Sequence, residues 1–136
     1  MNKNKNRSDC PISSSLDIWG DKWSLLLIRD LMDAKQCTYG DFLKSPEKIA
    51  TNSRAARLQS LEEFGIIEKT EHPASKRKMF YKLTSKGIDM VPILIEITSW
   101  ADKYSTIPKE QKALLKEYKK DKEGFIKASI KELKKV

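Results

Sequence analysis

The sequence lacks the residue clusters on which metal sites, disulfide frameworks and most catalytic centres depend. Its 136 residues include two cysteines and one histidine, and no Cys-x-x-Cys pair is present. His72 lies in a charged stretch, and no motif places a serine or cysteine nucleophile near it. Glycine-rich phosphate loops and paired-carboxylate motifs are missing too. We therefore predict that the protein is not an enzyme and has no catalytic residues, no metal and no cofactor.

Long hydrophobic runs are also absent. No apolar segment approaches the roughly 20 residues that a membrane-spanning helix needs. Residues 1–9 are polar, and no apolar stretch typical of a secretory signal follows them. Together with the low cysteine content, this predicts a reduced, cytoplasmic protein with no membrane partner.

Positive charge is what the chain has in excess. The formal net charge is +8 and the pI is about 9.4, with 34% charged and 39% hydrophobic residues. This composition is typical of a single, mainly helical domain that is large enough to bury a core. The basic excess favours an acidic partner such as nucleic acid, although charge alone discriminates weakly between partners.

A helix, a turn and a second helix are predicted between Thr38 and Gly65. We expect Thr38 to cap a short helix over residues 39–44, and residues 45–47 to form the turn. The second helix should start near Thr51 or Asn52, either of which can accept hydrogen bonds from its first N–H groups. Gly65 should end it, because glycine adopts a left-handed conformation without steric cost. Three side chains of the first helix are expected to point inward: Tyr39, Phe42 and Leu43.

The second predicted helix has two different faces. Ala55, Leu58 and Leu61 form an apolar stripe for the core. The opposite face combines small, amide and arginine side chains, with the two arginines at its margins: Asn52, Ser53, Arg54, Ala56, Arg57 and Gln59. Amides can recognise adenine edges, and arginine can recognise guanine or bind phosphate. We therefore predict that these residues contact DNA bases or the groove; the alternative is an ordinary surface helix rich in serine and alanine.

Beyond Gly65 the hydrophobic period changes to two, which indicates strands. We predict one strand over residues 66–70, another over residues 79–84 and a basic loop over residues 72–78 between them. A basic hairpin after such a helix is typical of a winged helix. Phosphate contacts are predicted for Thr38, Lys76, Arg77 and Lys78. The alternative is a solvated run of lysine and arginine.

Helices are also predicted on both sides of this motif. A short helix should start at Pro11, and a more buried one should cover residues 22–34. A helix over residues 86–104, bent at Pro92, has more apolar residues than one side of a small domain needs. The excess favours a two-fold dimer over a plain core helix. Lys-rich helices should follow over residues 109–120 and 123–134, and the second could pack on a partner subunit.

Several short segments recur in one known family. They are Cys10-Pro11, Gly20-Asp21-Lys22-Trp23, Tyr39-Gly40-Asp41-Phe42-Leu43, Ile49-Ala50-Thr51-Asn52, Arg57-Leu58, Leu61-Glu62-Glu63, Gly65-Ile66-Ile67, and Tyr81-Lys82-Leu83-Thr84 with Gly87. On these segments, residues 10–104 resemble the HxlR-type (MarR-like) winged helix-turn-helix transcriptional regulators of bacteria. Members usually have an apolar residue at the position of Arg54, which predicts that Arg54 snorkels to the DNA backbone or that the helix start is rearranged.

The resemblance implies a mainly α fold with a small β-hairpin, dimerising through its N- and C-terminal helices. It implies a homodimer that binds double-stranded DNA at a pseudo-palindromic operator, as a repressor in our main interpretation. The chain then divides into a flexible basic N-terminus (1–9), the winged helix domain (10–104) and a Lys-rich helical extension (105–136). The rival interpretation is a nucleic-acid binder without sequence preference.

A cysteine near the N-terminus senses oxidants or electrophiles in some members of this family. Cys10 matches that position, and nearby basic residues or a helix N-terminus would lower its thiol pKa. The resemblance therefore leaves open a redox-sensing regulator that uses Cys10, with Cys37 as the second thiol. A small-molecule effector is equally compatible with the fold.

Overall fold

The structure is a computed structural model that describes residues 8–72 and 74–135, without the side chains of residues 72 and 75–77. The prediction of a flexible N-terminus falls mostly on residues 1–7, which lie outside the described residues. Part of the predicted phosphate contact, the side chains of Lys76 and Arg77, lies outside them too.

Seven α-helices, one 3-10 helix and three strands make up the described part of the chain. The helices are α1 (Pro11–Trp19), α2 (Ser24–Ala34), the 3-10 helix (Gly40–Lys44), α3 (Thr51–Glu63), α4 (Ser85–Ile88), α5 (Val91–Tyr104), α6 (Lys109–Lys120) and α7 (Lys122–Lys134). The strands β1 (Cys37–Thr38), β2 (Ile67–His72) and β3 (Ser75–Leu83) form an antiparallel sheet in the order β1-β3-β2. Within the described residues, no helix is both long and apolar enough to cross a membrane. The mainly α fold with a small β-hairpin is confirmed.

Helix α2 forms the centre of the core. The carboxylate of Asp21 accepts hydrogen bonds from the N–H groups of Trp23 (2.9 Å) and Ser24 (3.0 Å), so the helix begins at Ser24. Because these donors at the helix end have no partner within the helix, Asp21 stabilises the start of α2. Leu27 and Leu31 are buried in the core, as the apolar pattern predicts.

The first helix of the motif is a 3-10 helix. Its cap is reciprocal: the Thr38 hydroxyl accepts a hydrogen bond from the Asp41 N–H (3.2 Å), and the Asp41 carboxylate accepts one from the Thr38 N–H (2.9 Å). Phe42 is buried, whereas Leu43 is 58% exposed. The prediction that Leu43 points inward is therefore wrong. Residues three apart share a face in a 3-10 helix, which aligns Tyr39 with Phe42 and leaves Leu43 to one side.

The β-hairpin is longer than predicted. Its register pairs Ile67 with Leu83 and Lys69 with Tyr81, β2 ends at His72, and β3 begins at Ser75. Residues 76–78 therefore belong to β3, and their prediction as a loop is wrong. Charged side chains are compatible with a strand because the backbone makes the pairing bonds and side chains alternate between the two faces. Strand β1 was not predicted, since two residues carry no periodic signal.

Two helices replace the single bent helix predicted over residues 86–104. The break falls at Asp89 and Met90, and Pro92 lies in the first turn of α5. Proline fits there because the first N–H groups of a helix have no intrahelical acceptor. The Thr84 hydroxyl caps α4 by accepting a hydrogen bond from the Gly87 N–H (3.2 Å).

The end of α3 and the start of α4 are joined at one junction. The Thr84 N–H donates to the Ile66 carbonyl (3.0 Å), and the Thr84 hydroxyl donates to the Gly65 carbonyl. Gly87 packs so closely on the Ile66 carbonyl that a Cβ atom at residue 87 would overlap it. Glycine is therefore required for this approach between the two elements.

The helices beyond residue 108 pack on the same chain. Tyr118 of α6 is buried and donates a hydrogen bond to the carboxylate of Glu96 on α5. Ile130 and Leu133 of α7 pack against the core. The bounds of both helices agree with the prediction to within one residue, and α7 contacts α4 and α5 of its own chain. Packing of α7 on a partner subunit stays a prediction.

Candidate nucleic-acid interface

Helix α3 has 13 residues and an uncapped N-terminus. Ala50 occupies the N-cap position, with extended backbone angles and no side-chain hydrogen bond. The prediction that Thr51 or Asn52 caps the helix is therefore wrong, because both are already helical. At the other end, Gly65 has a φ of 77°, and the Ile66 N–H donates to the Leu61 carbonyl (2.9 Å). This left-handed C-terminal ending at Gly65 is confirmed.

One face of α3 is open to solvent and carries small or amide side chains over its first turns. Its exposed residues are Thr51, Asn52, Ala55, Ala56, Gln59 and Glu63, and Ser53 is half-buried beside them. Asn52, Ala56, Gln59 and Glu63 follow the spacing of one helical face. Ala55 lies on the exposed side, so its prediction as a core residue is wrong. The core side is formed by Arg54, Leu58 and Leu61.

Arg54 is inside the domain, with 2% of its surface exposed. Its guanidinium donates to the Ile49 carbonyl (3.1 Å) and lies 3.5 Å from the Thr51 hydroxyl, while its Cζ is 4.8 Å from the centroid of the Tyr39 ring. The prediction that Arg54 lies at the margin of the exposed face is therefore wrong. A side chain buried in this way is not available for direct contact with a base or phosphate.

Arg57 is half-buried at the edge of the exposed face. Its guanidinium lies 3.5 Å from the carboxylate of Asp21, the same carboxylate that stabilises the start of α2. Hydrogen bonds from the Ser24 side chain and from two backbone N–H groups, together with the charge of Arg57, outweigh burial and lower the pKa of Asp21. Arg57 therefore connects α3 to α2, and a base contact by Arg57 stays a prediction.

The hairpin formed by β2 and β3, here called the wing, lies beside the exposed face of α3. A cleft of about 290 Å³ separates them, and its lining includes Ala55, Gln59 and Glu62 of α3. The Lys69 ammonium of β2 is 3.7 Å from the Glu62 carboxylate. Since the cleft is bounded by α3 and by the wing, both elements border one continuous surface.

Lys78 of the wing and Thr38 at the start of the 3-10 helix both act on the Asp41 carboxylate. Lys78 is exposed. Hydrogen bonds from Thr38, together with the positive charges of Lys44 and Lys78, lower the pKa of Asp41. The Thr38 hydroxyl already accepts one hydrogen bond from the Asp41 N–H, and among the described residues no acceptor is found for its own proton. Both side chains are therefore compatible with the predicted phosphate contacts.

The turn that precedes α3 is attached to α2 by an ion pair. The Arg29 guanidinium donates to both carboxylate oxygens of Glu47 (2.7 and 2.8 Å) and to Asp30 (2.7 Å). The hydrogen bonds from Arg29 lower the pKa of Glu47 to about 2. Sequence reasoning missed this pair, because its partners are 18 residues apart and each resembles an ordinary surface charge.

Helices α1 and α5 expose large apolar side chains. On α5 they follow a helical spacing: Ile93, Ile97, Trp100 and Tyr104. The last two are 68% and 67% exposed, and Ile12 of α1 is 72% exposed. A shallow apolar cleft of about 480 Å³ runs along Pro92, Ile93, Ile97 and Trp100. This apolar surface is available for a second chain.

The two cysteines lie in different environments. Cys10 is exposed, whereas Cys37 is buried. Burial and the nearby charges of Asp41, Asp30 and Asp33 raise the pKa of Cys37 to about 12. Because thiolates and not thiols react with oxidants and electrophiles, burial and the raised pKa make Cys37 poorly reactive in this conformation, and its role as a second redox thiol stays a prediction.

The comparisons with a family model and with individual relatives agree on one family. The model of the HxlR-like helix-turn-helix family matches residues 18–109. YdeP of Bacillus subtilis (strain 168), described as an uncharacterized HTH-type transcriptional regulator, is 32% identical over 95 residues, which are 70% of this chain and 73% of YdeP. The HTH-type transcriptional regulator YodB of the same strain is 30% identical over 108 residues, covering 76% of this chain and 96% of YodB.

Solved structures agree with this result. The crystal structure of PA1607, a putative transcription factor, superimposes with a TM-score of 0.66 and 35% identity, covering 76% of this chain and 70% of PA1607. The reduced form of YodB from B. subtilis superimposes with a TM-score of 0.60 and 29% identity over 73% of this chain and 97% of YodB.

Proposed function

Because this chain belongs to the HxlR-like helix-turn-helix family and is a transcriptional regulator, we propose that it acts as a homodimer on a pseudo-palindromic operator, as a repressor. In this proposal α3 enters the major groove, and the wing lies along the flanking backbone. Two copies of α3, related by the dimer axis, would contact two half-sites.

The observation that carries the proposal is the composition of the exposed face of α3. Two small side chains, Ala55 and Ala56, allow the helix to approach the groove closely. Asn52 and Gln59 present amides on the same face, and amides can pair with the edges of adenine. A solvated helix face usually carries lysine and glutamate, and here the first acidic residue of α3 is Glu62.

Charge on the wing supports the same arrangement. Lys78 is exposed beside the 3-10 helix, and Thr38 lies at the start of that helix. Cations at this position would bind phosphates and fix the register of α3 without recognising sequence. The basic residues at 76 and 77 extend the positive charge of β3.

The exposed apolar side chains of α1 and α5 support the homodimer. Large apolar patches on a protein surface mark interaction sites, and a two-fold dimer covers the same patch on both chains. Trp100 and Tyr104 have the aromatic character that is enriched in protein interfaces. Dimerisation through N- and C-terminal helices would place two α3 helices on one side of the molecule.

Selection of bound duplexes from a random pool tests the proposal. We expect one pseudo-palindromic sequence, bound at least about 10³-fold more tightly than random DNA at physiological salt. Gln59→Ala should reduce this preference, whereas Gln111→Ala on α6, an exposed amide outside the site, should not. Equal affinity for all duplexes would contradict the proposal and favour the rival nucleic-acid binder without sequence preference.

Redox regulation through Cys10 is a second candidate function. It is supported by the exposure of Cys10 at the N-cap of α1 and by the similarity to YodB, of which quinone-bound and diamide-treated structures are known. In this proposal, oxidation or alkylation of Cys10 beside the dimer surface would release the operator. Diamide should then release the operator from the wild type and not from Cys10→Ser, and equal responses would exclude Cys10.

A further inference from the structure

The N-terminus of α3 presents free hydrogen-bond donors above a buried charge. Among the described residues, no acceptor is found for the N–H groups of Thr51, Asn52 and Ser53, and the first backbone bond of the helix is made by Arg54 to Ala50. Thr51 and Asn52 are exposed. These N–H groups form the positive end of a 13-residue helix, whose first two residues are exposed on the surface proposed for DNA.

The Arg54 guanidinium adds a full positive charge directly beneath this helix end. It is 2% exposed, it contacts the Ile49 carbonyl and the Thr51 hydroxyl, and no carboxylate of the described residues forms an ion pair with it. Its Nε is buried without a hydrogen-bond partner. Burying a charge without a counterion is unfavourable, so its position indicates an anion that arrives from outside.

We propose that the N-terminus of α3 is a binding site for one backbone phosphate of the operator. The N–H groups of residues 51–53 would donate to the phosphate oxygens, as helix N-termini do for anions. Arg54 would act from below through its charge, without touching the DNA, because a desolvated charge acts strongly over a short distance. This inference rests on the proposed function and adds one specific contact to it.

Ala50 is consistent with this role. Its backbone angles, φ −60° and ψ 146°, are those of an N-cap residue, yet its side chain has no atom that can accept a hydrogen bond. Serine, threonine or aspartate at residue 50 would occupy the N–H groups and compete with a phosphate. The missing cap therefore leaves the donors free, and the buried cation favours an anion there.

A scan of the operator backbone tests the proposal with the full-length chain. Single methylphosphonate linkages, which are neutral, are introduced one at a time into the selected operator, and binding is measured by fluorescence anisotropy. In the wild type we expect one linkage per half-site at which removing the phosphate charge weakens operator binding by about tenfold. This is the size of effect expected for the loss of one charge-assisted hydrogen bond. In Arg54→Leu, binding to the unmodified operator should be weaker, and that linkage should lose most of its effect. Arg54→Lys, which keeps the charge, should resemble the wild type.

Ala50→Ser provides a second variant that does not alter the core. A serine cap should raise the melting temperature, because it satisfies the free N–H groups. It should also weaken operator binding and reduce the effect of the same linkage. If this helix end has only a structural role, Ala50→Ser should be more stable than the wild type and bind the operator with unchanged affinity. That result would overturn the proposal, even if Arg54→Leu does not fold.

The outcomes separate this inference from the proposed function. If the wild type does not prefer the selected duplex, the proposed function fails. If the wild type binds specifically but no linkage depends on Arg54 or on residue 50, only the phosphate site is wrong. Melting temperatures in inorganic phosphate and in chloride, at constant ionic strength, test whether the site binds a free anion instead. If phosphate raises the melting temperature of the wild type but not of Arg54→Leu, and no linkage of the operator is sensitive, the assignment to DNA is wrong.

Discussion

The Asp21 carboxylate binds two elements at once, because it accepts the first N–H groups of α2 and lies 3.5 Å from the Arg57 guanidinium of α3. The start of the most buried helix and the proposed DNA-contacting helix thus depend on the same side chain. A local substitution at residue 21 should therefore affect both the stability of the fold and the position of α3.

Asp21→Ala should lower the free energy of unfolding by about 1 kcal/mol, as expected for loss of a helix cap. Urea denaturation measures this change. Asp33→Ala is a matched control in the last turn of α2, where a carboxylate opposes the helix dipole and its removal should not destabilise the protein. Equal losses for both variants would contradict the capping role of Asp21.

Arg57→Ala should weaken operator binding by about 1–3 kcal/mol if the guanidinium contacts a base. Fluorescence anisotropy with the selected operator measures the loss. Asp21→Asn is the control, since an amide oxygen still accepts the N–H groups of α2 but no longer pairs with Arg57 as an ion. Similar losses in both variants would show that Arg57 positions α3, and unchanged affinity in Arg57→Ala would remove it from the site.

Acid should weaken the attachment of the turn at Glu47. Arg29 lowers the pKa of Glu47 from its ordinary value of 4.5 to about 2 in the folded chain. Because the folded pKa is below the unfolded one, the ion pair stabilises the fold above pH 4.5, and this contribution is lost as the pH falls toward 2. The difference in unfolding free energy between wild type and Glu47→Gln should therefore shrink over this interval. A difference that does not depend on pH would refute this account.

The two thiols should differ sharply in reactivity. With a pKa of about 12, Cys37 would be a thiolate in roughly 1 of 10⁴ molecules at pH 8, and it is also buried. A thiol reagent such as Ellman's reagent should modify one cysteine per folded chain and both cysteines in urea. In Cys10→Ser the folded chain should be nearly unreactive. Fast modification of Cys37 in the folded protein would contradict the structure.

Trp100→Glu should convert the proposed dimer into a monomer, because it places a charge in the centre of the exposed apolar surface of α5. Sedimentation velocity measures the change in mass. Leu43→Glu is the control, since Leu43 is another large exposed apolar residue but belongs to the 3-10 helix. A dimer that persists in Trp100→Glu would place the interface elsewhere.

Sequence periodicity predicted the helices well where local signals agree. Gly65 was predicted to end α3, and it does so with a positive φ. The family resemblance, carried by short segments such as those around Asp21 and Gly65, is confirmed by the match over residues 18–109. These features depend on a few neighbouring residues and are visible in the sequence.

The remaining features depend on contacts that are distant in the sequence. Arg54 was predicted at the margin of the exposed face, but Tyr39 and the Ile49 carbonyl form a site for it inside the domain. Strand β1 is defined by its pairing with β3, not by its own two residues. Pro92 was predicted to bend one long helix. In the structure the backbone breaks before α5, and Pro92 lies in the first turn of that helix.

The junction between Gly65, Ile66, Thr84 and Gly87 has a mechanical consequence. It attaches the C-terminal end of α3 to α4, and α4 is separated from α5 only by Asp89 and Met90. The contact of Gly87 with the Ile66 carbonyl therefore keeps the end of α3, the end of the wing and the start of α4 at fixed distances from one another. Any side chain at residue 87 would push these three elements apart together, so one missing Cβ atom maintains the spacing of the whole C-terminal side of the motif.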